Sequence, residues 1–174
     1  PPADDAARRR TILFGPLTEE SSARANAVAW SRVVTGPAAT RSELAAIAKE
    51  PLGLLVVVGH GAGADDLARG TLELAPETVA SSSWVSAADL SALRIDARLV
   101  YLAVCESAAG ATSLASGMRE AGARAVIAPI HAVTKASALT LLREITGSPR
   151  TMRVSEALAA AKSRLIRAGA PPSD

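Results

Sequence analysis

The chain has 174 residues, of which 49% are hydrophobic and 21% charged, a composition that excludes a disordered chain and suits one domain with a full core. Its 19 basic and 17 acidic residues leave a formal net charge of +2, too small an excess to indicate a nucleic-acid partner. The single cysteine excludes an internal disulfide, and no cluster of cysteine and histidine offers a metal site. We therefore expect a cytoplasmic protein that needs no metal or cofactor.

Both ends of the sequence have the composition of linkers rather than of a core. Residues 1–10 carry an acidic pair beside Arg8-Arg9-Arg10, and no aromatic residue interleaves this basic run, so we expect a solvated lead-in. Residues 168–174 are rich in proline. No apolar stretch approaches the ~20 residues needed to cross a bilayer, so no membrane partner is expected. The sequence predicts one domain over residues 11–167, as a piece of a longer chain.

The first half of the domain predicts two buried strands separated by two helices. Residues 11–14 are a short apolar strand ended by Gly-Pro, and apolar residues at helical spacing predict a helix from about 18 to 34. A second amphipathic helix is predicted from about 40 to 49. Residues 54–58 are branched aliphatics that end at a glycine, which is typical of a strand buried on both faces. The expected order is strand, helix, helix, strand.

The second half begins with two short segments, 71–74 and 84–85, that predict a small antiparallel hairpin. A strongly apolar strand at 98–104 then delivers Cys105 at its C-terminal end, as the earlier apolar strand delivers His60. The other segments are predicted as helices at 87–93, 112–121, 137–145 and 155–167 and as a strand at 125–130. This alternation predicts an α/β fold, with a mainly parallel central sheet and helices on both faces.

His60 and Cys105 form a candidate catalytic pair. A thiolate attacks a peptide carbonyl, and a nearby imidazole can take the thiol proton and later return it to the leaving amine. Gly61 lacks a Cβ, so a substrate carbonyl could approach its N–H, and the N–H of Cys105 would complete an oxyanion hole. The alternative is structural, because a lone cysteine is often a small core residue and a histidine is often simply a satisfied polar group.

The glycines around His60 also fit a dinucleotide-binding fingerprint, Gly59-x-Gly61-x-x-Ala64. That fingerprint requires a full helix directly afterwards and an acidic residue about 20 positions further on. Only residues 64–68 could be helical before Gly70. The sequence therefore disfavours nucleotide binding.

Two motifs carry a resemblance to a known family: Val-Val-Val-Gly-His60-Gly61, and Leu99-Val-Tyr-Leu-Ala-Val-Cys105 followed by Glu106, Ser107 and Ala108. Three further segments match in the same order, at 36–40, 121–127 and 154–158. With these motifs the chain resembles CHAT domains, which are caspase-like modules. The resemblance covers about 11–167. It implies a caspase-like three-layer sandwich and a bacterial cysteine endopeptidase, with Cys105 as nucleophile, His60 as general base and acid, and Gly61 in the oxyanion hole.

The sequence departs from the family pattern after the strand predicted at 125–130, where relatives commonly read like Trp-Pro-Val-x-Asp. This chain has His131-Ala-Val-Thr134-Lys135 there, and the resemblance implies that this loop lines the pocket for the residue before the scissile bond. Because a lysine pairs with carboxylates, we expect an acidic or polar substrate residue. For His131, an alternative role is to cap the strand or the helix that starts near residue 137.

The expected partner is a protein substrate, and the resemblance implies repeat or sensor domains, fused or associated, that restrain the peptidase until a signal arrives. The alternative is a catalytically silent interaction module. A silent module need not retain His60, Gly61 and Cys105, so their presence favours the enzyme.

Overall fold

The structure is a computed structural model that describes residues 10–16, 29–61, 70–148 and 152–168. Most of the predicted lead-in and tail, and most of the helix expected at 18–34, lie outside these residues. The strands are β1 Thr11–Gly15, β2 Arg32–Thr35, β3 Leu52–Val58, β4 Thr71–Glu73, β5 Trp84–Ser86, β6 Ala97–Ala103 and β7 Val126–Ile127. The α-helices are α1 Arg41–Ala48, α2 Ala87–Ser91, α3 Leu114–Glu120, α4 Lys135–Thr146 and α5 Val154–Arg167.

Five strands form a parallel sheet in the order β2-β1-β3-β6-β7. The two most apolar strands, β3 and β6, are neighbours at its centre, where strands buried on both faces are expected. The segments β4 and β5 pair separately as an antiparallel hairpin. The predicted parallel sheet and the predicted hairpin are confirmed.

Apolar side chains on the two faces of the sheet build two separate cores. From residue 54 onward, β3 points alternate side chains into each core, which is the period of a pleated strand. The first core packs the sheet against α1, α2, α3 and the hairpin, and the second packs it against α4 and α5. Helices therefore cover both faces, as a three-layer sandwich requires.

The predicted helix at 18–34 is wrong at its C-terminal end. Residues Arg32–Thr35 are β2, an edge strand paired with β1, and not the last turn of a helix. The spacing of the apolar residues favours a helix. However, the local run Arg-Val-Val-Thr contains three β-branched residues before a Gly-Pro turn, and β-branched residues favour a strand. The strand predicted at 125–130 is also shorter than expected, since β7 is only Val126–Ile127.

Hydroxyl side chains fix where several helices begin. Thr40 accepts a hydrogen bond from the N–H of Glu43 at the start of α1, and Thr134 accepts one from the N–H of Ser137 at the start of α4. Such caps satisfy N–H groups that have no partner within the helix.

A hydrogen bond joins helix α4 to the sheet, because the buried hydroxyl of Tyr101 in β6 donates to the carbonyl oxygen of Ala138 at 2.7 Å.

Candidate active site

The strands that precede His60 and Cys105 are hydrogen-bonded neighbours in the same register. Val58 pairs with Ala103, the last residues of β3 and β6, and each candidate residue follows two positions later. The N–H of Gly59 donates to the carbonyl of Ala103 at 3.4 Å, which extends the ladder beyond the strands. Neighbouring strands lie about 4.8 Å apart, so the fold brings the two residues side by side at the carboxyl edge of the sheet.

Gly61 lies directly against the backbone of Cys105. A Cβ added at Gly61 would lie 2.5 Å from the carbonyl oxygen of Cys105 and 3.1 Å from Cγ1 of Val104. Real Cβ atoms do not approach another atom as closely as 2.5 Å. The requirement for glycine after the histidine is therefore steric.

The same glycine pairs with the hairpin. Gly61 forms an antiparallel bridge with Leu72 of β4, and the N–H of Glu73 donates to the carbonyl of His60 at 3.0 Å. This pattern puts Gly61 in the non-hydrogen-bonded position of the bridge, so its own N–H points away from β4.

The thiol and the imidazole are held differently. Cys105 is half-buried, and its Sγ donates to the carbonyl oxygen of Val133 at 3.5 Å. His60 is exposed, and within the described part of the chain its imidazole has no hydrogen-bond partner. The two candidate side chains are thus adjacent in the fold without a hydrogen bond between them, as is common for catalytic groups without substrate.

The chain turns sharply after Cys105. Glu106 has a φ of 54°, in the left-handed region that non-glycine residues seldom adopt. Its N–H donates to the carbonyl of His131 at 3.4 Å, and the N–H of Ala108 donates to the carbonyl of Pro129 at 2.9 Å. The segment after β7 therefore braces the turn that carries the nucleophile candidate, and these bonds support the unusual backbone conformation.

Of the predicted pocket residues after β7, His131 contacts this turn through its backbone carbonyl. The side chains of His131 and Thr134 are exposed, and Lys135 is the first residue of α4. The Oγ1 of Thr134 accepts a hydrogen bond from the N–H of Ser137 at 3.1 Å and so caps α4. The interpretation of His131 as the cap of that helix is therefore wrong.

Two features of the site escaped the sequence analysis. One is the carbonyl of Val133, which no residue type could have indicated because it belongs to the backbone. The other is a small pocket beside Cys105, open on one side to solvent, whose lining includes Thr71, Ser107 and Ala109. Ser107 was visible only as one small residue in the motif after the cysteine. Asp65 and Asp66, the acidic residues that follow His60 most closely in the sequence, lie outside the described residues.

Among the described residues, no group of three or more histidine, cysteine, aspartate or glutamate side chains is placed to hold a metal ion. In the same part of the chain, no helix combines the length and the apolar character that a membrane crossing demands.

Comparison with known proteins supports the resemblance drawn from the motifs. The family model described as CHAT domain matches residues 1–173, and this match spans every described element from β1 to α5. A search of curated proteins returned no match. The parallel five-stranded sheet, its helices and the separate hairpin agree with an α/β caspase-like fold.

Proposed function

The chain belongs to the CHAT domain family, and on that premise we propose that it is a caspase-like cysteine endopeptidase domain that cleaves a protein substrate with Cys105 and His60. The observation that carries the proposal is the fit of Gly61 against the carbonyl of Cys105, since it locks the two strand ends together.

In the acylation step, the Sγ of Cys105 attacks the scissile carbonyl carbon while His60 takes the thiol proton. The carbonyl oxygen becomes an oxyanion, stabilised by the N–H groups of Gly61 and Cys105. The tetrahedral intermediate then collapses, the C–N bond breaks, and His60 gives its proton to the leaving amine. The products are a free amine and a thioester on Cys105.

In the deacylation step, His60 removes a proton from water, and the hydroxide attacks the thioester carbonyl. The C–S bond breaks, and His60 returns the proton to the sulfur of Cys105. Every group in this cycle comes from the chain or from water, so the cycle uses no metal or cofactor.

Before the first step, the thiol must leave the carbonyl of Val133, because a proton donated there is not available to His60. This contact supports a restrained resting form. We propose that fused or associated repeat or sensor domains, in the cytoplasm, shift the segment after β7 when a signal arrives.

For the residue before the scissile bond, we propose a pocket formed by His131, Thr134 and Lys135 that favours an acidic or polar side chain. Support comes from the backbone contacts of this segment with the turn after Cys105. Sequencing of the products from a peptide library tests it. Preferred cleavage after lysine or arginine would contradict the proposal.

The second candidate function is a catalytically silent CHAT module that serves as an interaction scaffold. The observation that favours it is the thiol bonded to Val133 instead of His60. In such a module, replacement of His60 would leave the reactivity of Cys105 unchanged.

The experiment that separates the two functions is the rate of alkylation of Cys105 by chloroacetamide from pH 5 to 10, read by intact mass. Cys105 is the only cysteine, so each mass shift has one origin. For the peptidase, the native rate at pH 7 exceeds that of His60→Ala by about tenfold, because the imidazole withdraws the thiol proton. His131→Ala is the matched control, since it removes the only other histidine. Equal rates in the native chain and His60→Ala would reject the dyad.

A further inference from the structure

The backbone around His60 pairs with β4 on the side opposite to β6. The N–H of the preceding glycine donates to β6, whereas the carbonyl of His60 accepts a hydrogen bond from the N–H of Glu73 in β4 at 3.0 Å. Since Gly61 forms the antiparallel bridge with Leu72, the register makes Glu73 the residue directly opposite His60. The Cβ atoms of opposite residues on antiparallel strands lie about 5 Å apart, so Glu73 and His60 are neighbours in space.

The side chain of His60 points to the face of the sheet opposite the first core. A Cβ added at Gly61 would lie 3.1 Å from Cγ1 of Val104, a side chain of that core. A Cβ added at Gly59 would lie 2.8 Å from Cδ1 of Leu72, which belongs to the same core. Side chains alternate between the two faces along an extended chain, so the residue between these glycines faces the other way.

Cys105 and Glu73 point to the same face as His60. Val104 packs in the first core, and the next side chain, the thiol of Cys105, reaches the carbonyl of Val133 beside the second core. In the hairpin, Glu73 lies between two leucines of the first core and therefore points away from it. The thiol, the imidazole and the carboxylate form one row across three adjacent segments, with the imidazole in the middle.

The carboxylate of Glu73 is free to contact the imidazole. Glu73 is half-buried, and within the part of the chain that the structure describes its side chain has neither a hydrogen bond nor an ion pair. By contrast, the half-buried carboxylates of Glu43 and Asp89 are paired with arginines. The imidazole of His60 is also unpaired among the described residues, so rotation of two side chains brings the groups together without a change in the backbone.

We propose that Glu73 is a positioning residue, which completes a triad with Cys105 and His60. Its carboxylate accepts a hydrogen bond from the imidazole nitrogen that faces away from the thiol. This bond fixes the tautomer and the orientation of the ring, and it stabilises the imidazolium that forms when His60 takes the thiol proton; no proton passes to Glu73. The proposal rests on the peptidase function proposed above and adds how its base is oriented.

The contact is tested without any substrate by heteronuclear NMR of the imidazole nitrogens in the whole chain, at a pH of about 8.5, where an imidazole is ordinarily neutral. The chain has two histidines, and His131→Ala assigns their signals. Glu73→Gln is expected to change the tautomer ratio of His60 at least about fivefold, the factor that one net hydrogen bond supplies. An amide can donate as well as accept, so glutamine does not select one tautomer. The ratio of His131 should stay the same.

The role in the reaction is tested by kcat and KM for a peptide selected from the library. Glu73→Gln should lower kcat about 10- to 100-fold, as expected for a hydrogen bond to a charged group, while KM stays within about twofold. Glu73→Asp keeps the charge on a shorter side chain and should restore part of the loss. The matched control is Glu120→Gln, which removes an exposed carboxylate at the end of α3 and should keep the native values. Thermal unfolding confirms that each variant is folded.

The outcomes distinguish this inference from the function on which it rests. An equal tautomer ratio of His60 in the native chain and in Glu73→Gln overturns the inference, whatever the chain cleaves. If the ratio changes but the native chain cleaves no peptide, the peptidase function fails while the contact between Glu73 and His60 stands. Native kcat in Glu73→Gln overturns the positioning role alone, and so does a raised KM with unchanged kcat, which would make Glu73 a substrate-binding residue.

Discussion

The ends of β3 and β6 carry one candidate residue each, and they are built in opposite ways. The end of β3 presents an exposed imidazole, and its backbone is fixed by Gly61 and the hairpin. The end of β6 holds a half-buried thiol against Val133 and continues into the left-handed turn at Glu106. A nucleophile needs a fixed position, whereas a base must serve both the thiol and the leaving amine, so the difference matches the two proposed roles.

The two strand ends also differ in which of their atoms meet. The two strand ends touch through backbone atoms of Gly61 and Cys105, not through the reactive side chains. Because the imidazole of His60 is exposed, it can turn towards the thiol of Cys105 without a change in the sheet.

The largest effect is expected from removal of the Cys105 thiol. Cys105→Ala lowers peptidase kcat by at least about 10³-fold because no other nucleophile is present to form the thioester. Cleavage of a peptide selected from a library measures this loss, and thermal unfolding serves as the control for intact folding. Residual activity within tenfold of the native chain would assign the nucleophile elsewhere.

The next effect tests the backbone contact itself. Gly61→Ala puts a Cβ 2.5 Å from the carbonyl oxygen of Cys105, so the strand ends must separate. We expect kcat/KM to fall about 10²-fold, as for a misplacement of about 1 Å, and the free energy of unfolding to fall by about 1–3 kcal/mol.

The control for that variant is Gly147→Ala at the end of α4, where φ is −75° and the nearest atom to an added Cβ is 3.3 Å away. It should change neither activity nor stability appreciably. Native activity in Gly61→Ala would show that the contact between the strand ends is dispensable.

A smaller effect is expected from weakening the hydrogen bond between the Cys105 thiol and the carbonyl of Val133. Thr134 caps α4 directly after Val133, so Thr134→Ala frays the start of the helix and loosens the carbonyl that accepts from Cys105. The cost in stability is about 1 kcal/mol, and the alkylation rate of Cys105 should rise about two- to fivefold as that hydrogen bond weakens. Thr40→Ala removes the equivalent cap of α1 and should leave the alkylation rate unchanged. Equal rate increases in both variants would point to global loosening.

The smallest effect is expected from removal of the hydrogen bond between Tyr101 of β6 and Ala138 of α4. Tyr101→Phe removes the hydroxyl that donates to Ala138 and should lower the free energy of unfolding by about 1 kcal/mol. Burial raises the pKa of the Tyr101 phenol well above its ordinary value.

The sign of the resulting pH dependence follows from that shift. Above pH of about 10 the unfolded phenol loses its proton while the folded one keeps it, so this contribution to stability is complete below pH 10 and declines as pH rises further. Unfolding in urea at pH 9 and pH 11 measures the decline, which Tyr101→Phe should reduce. Since Tyr101 is the only tyrosine, phenolate absorbance reports it alone.

Much of this fold follows from apolar patterns. The runs that became β3 and β6 were predicted within two residues, with the histidine and the cysteine at their C-terminal ends, because strands buried on both faces have few alternatives. The hairpin and the helices from α1 to α5 were also predicted, with ends that differ from the observed ones by at most two residues. The edge strand β2 was missed, since four residues with one buried side chain carry too weak a pattern to compete with helical spacing.

The sequence by itself determined which residue types stand at the ends of the two central strands and that a glycine follows the histidine. Only the tertiary structure decided that these strands are neighbours in matching register, that Gly61 meets the carbonyl of Cys105, and that Val133 holds the thiol. The physical reason is that local patterns encode burial and backbone preference. Contacts between backbone atoms far apart in the chain depend on strand order and loop path, which no single residue type records.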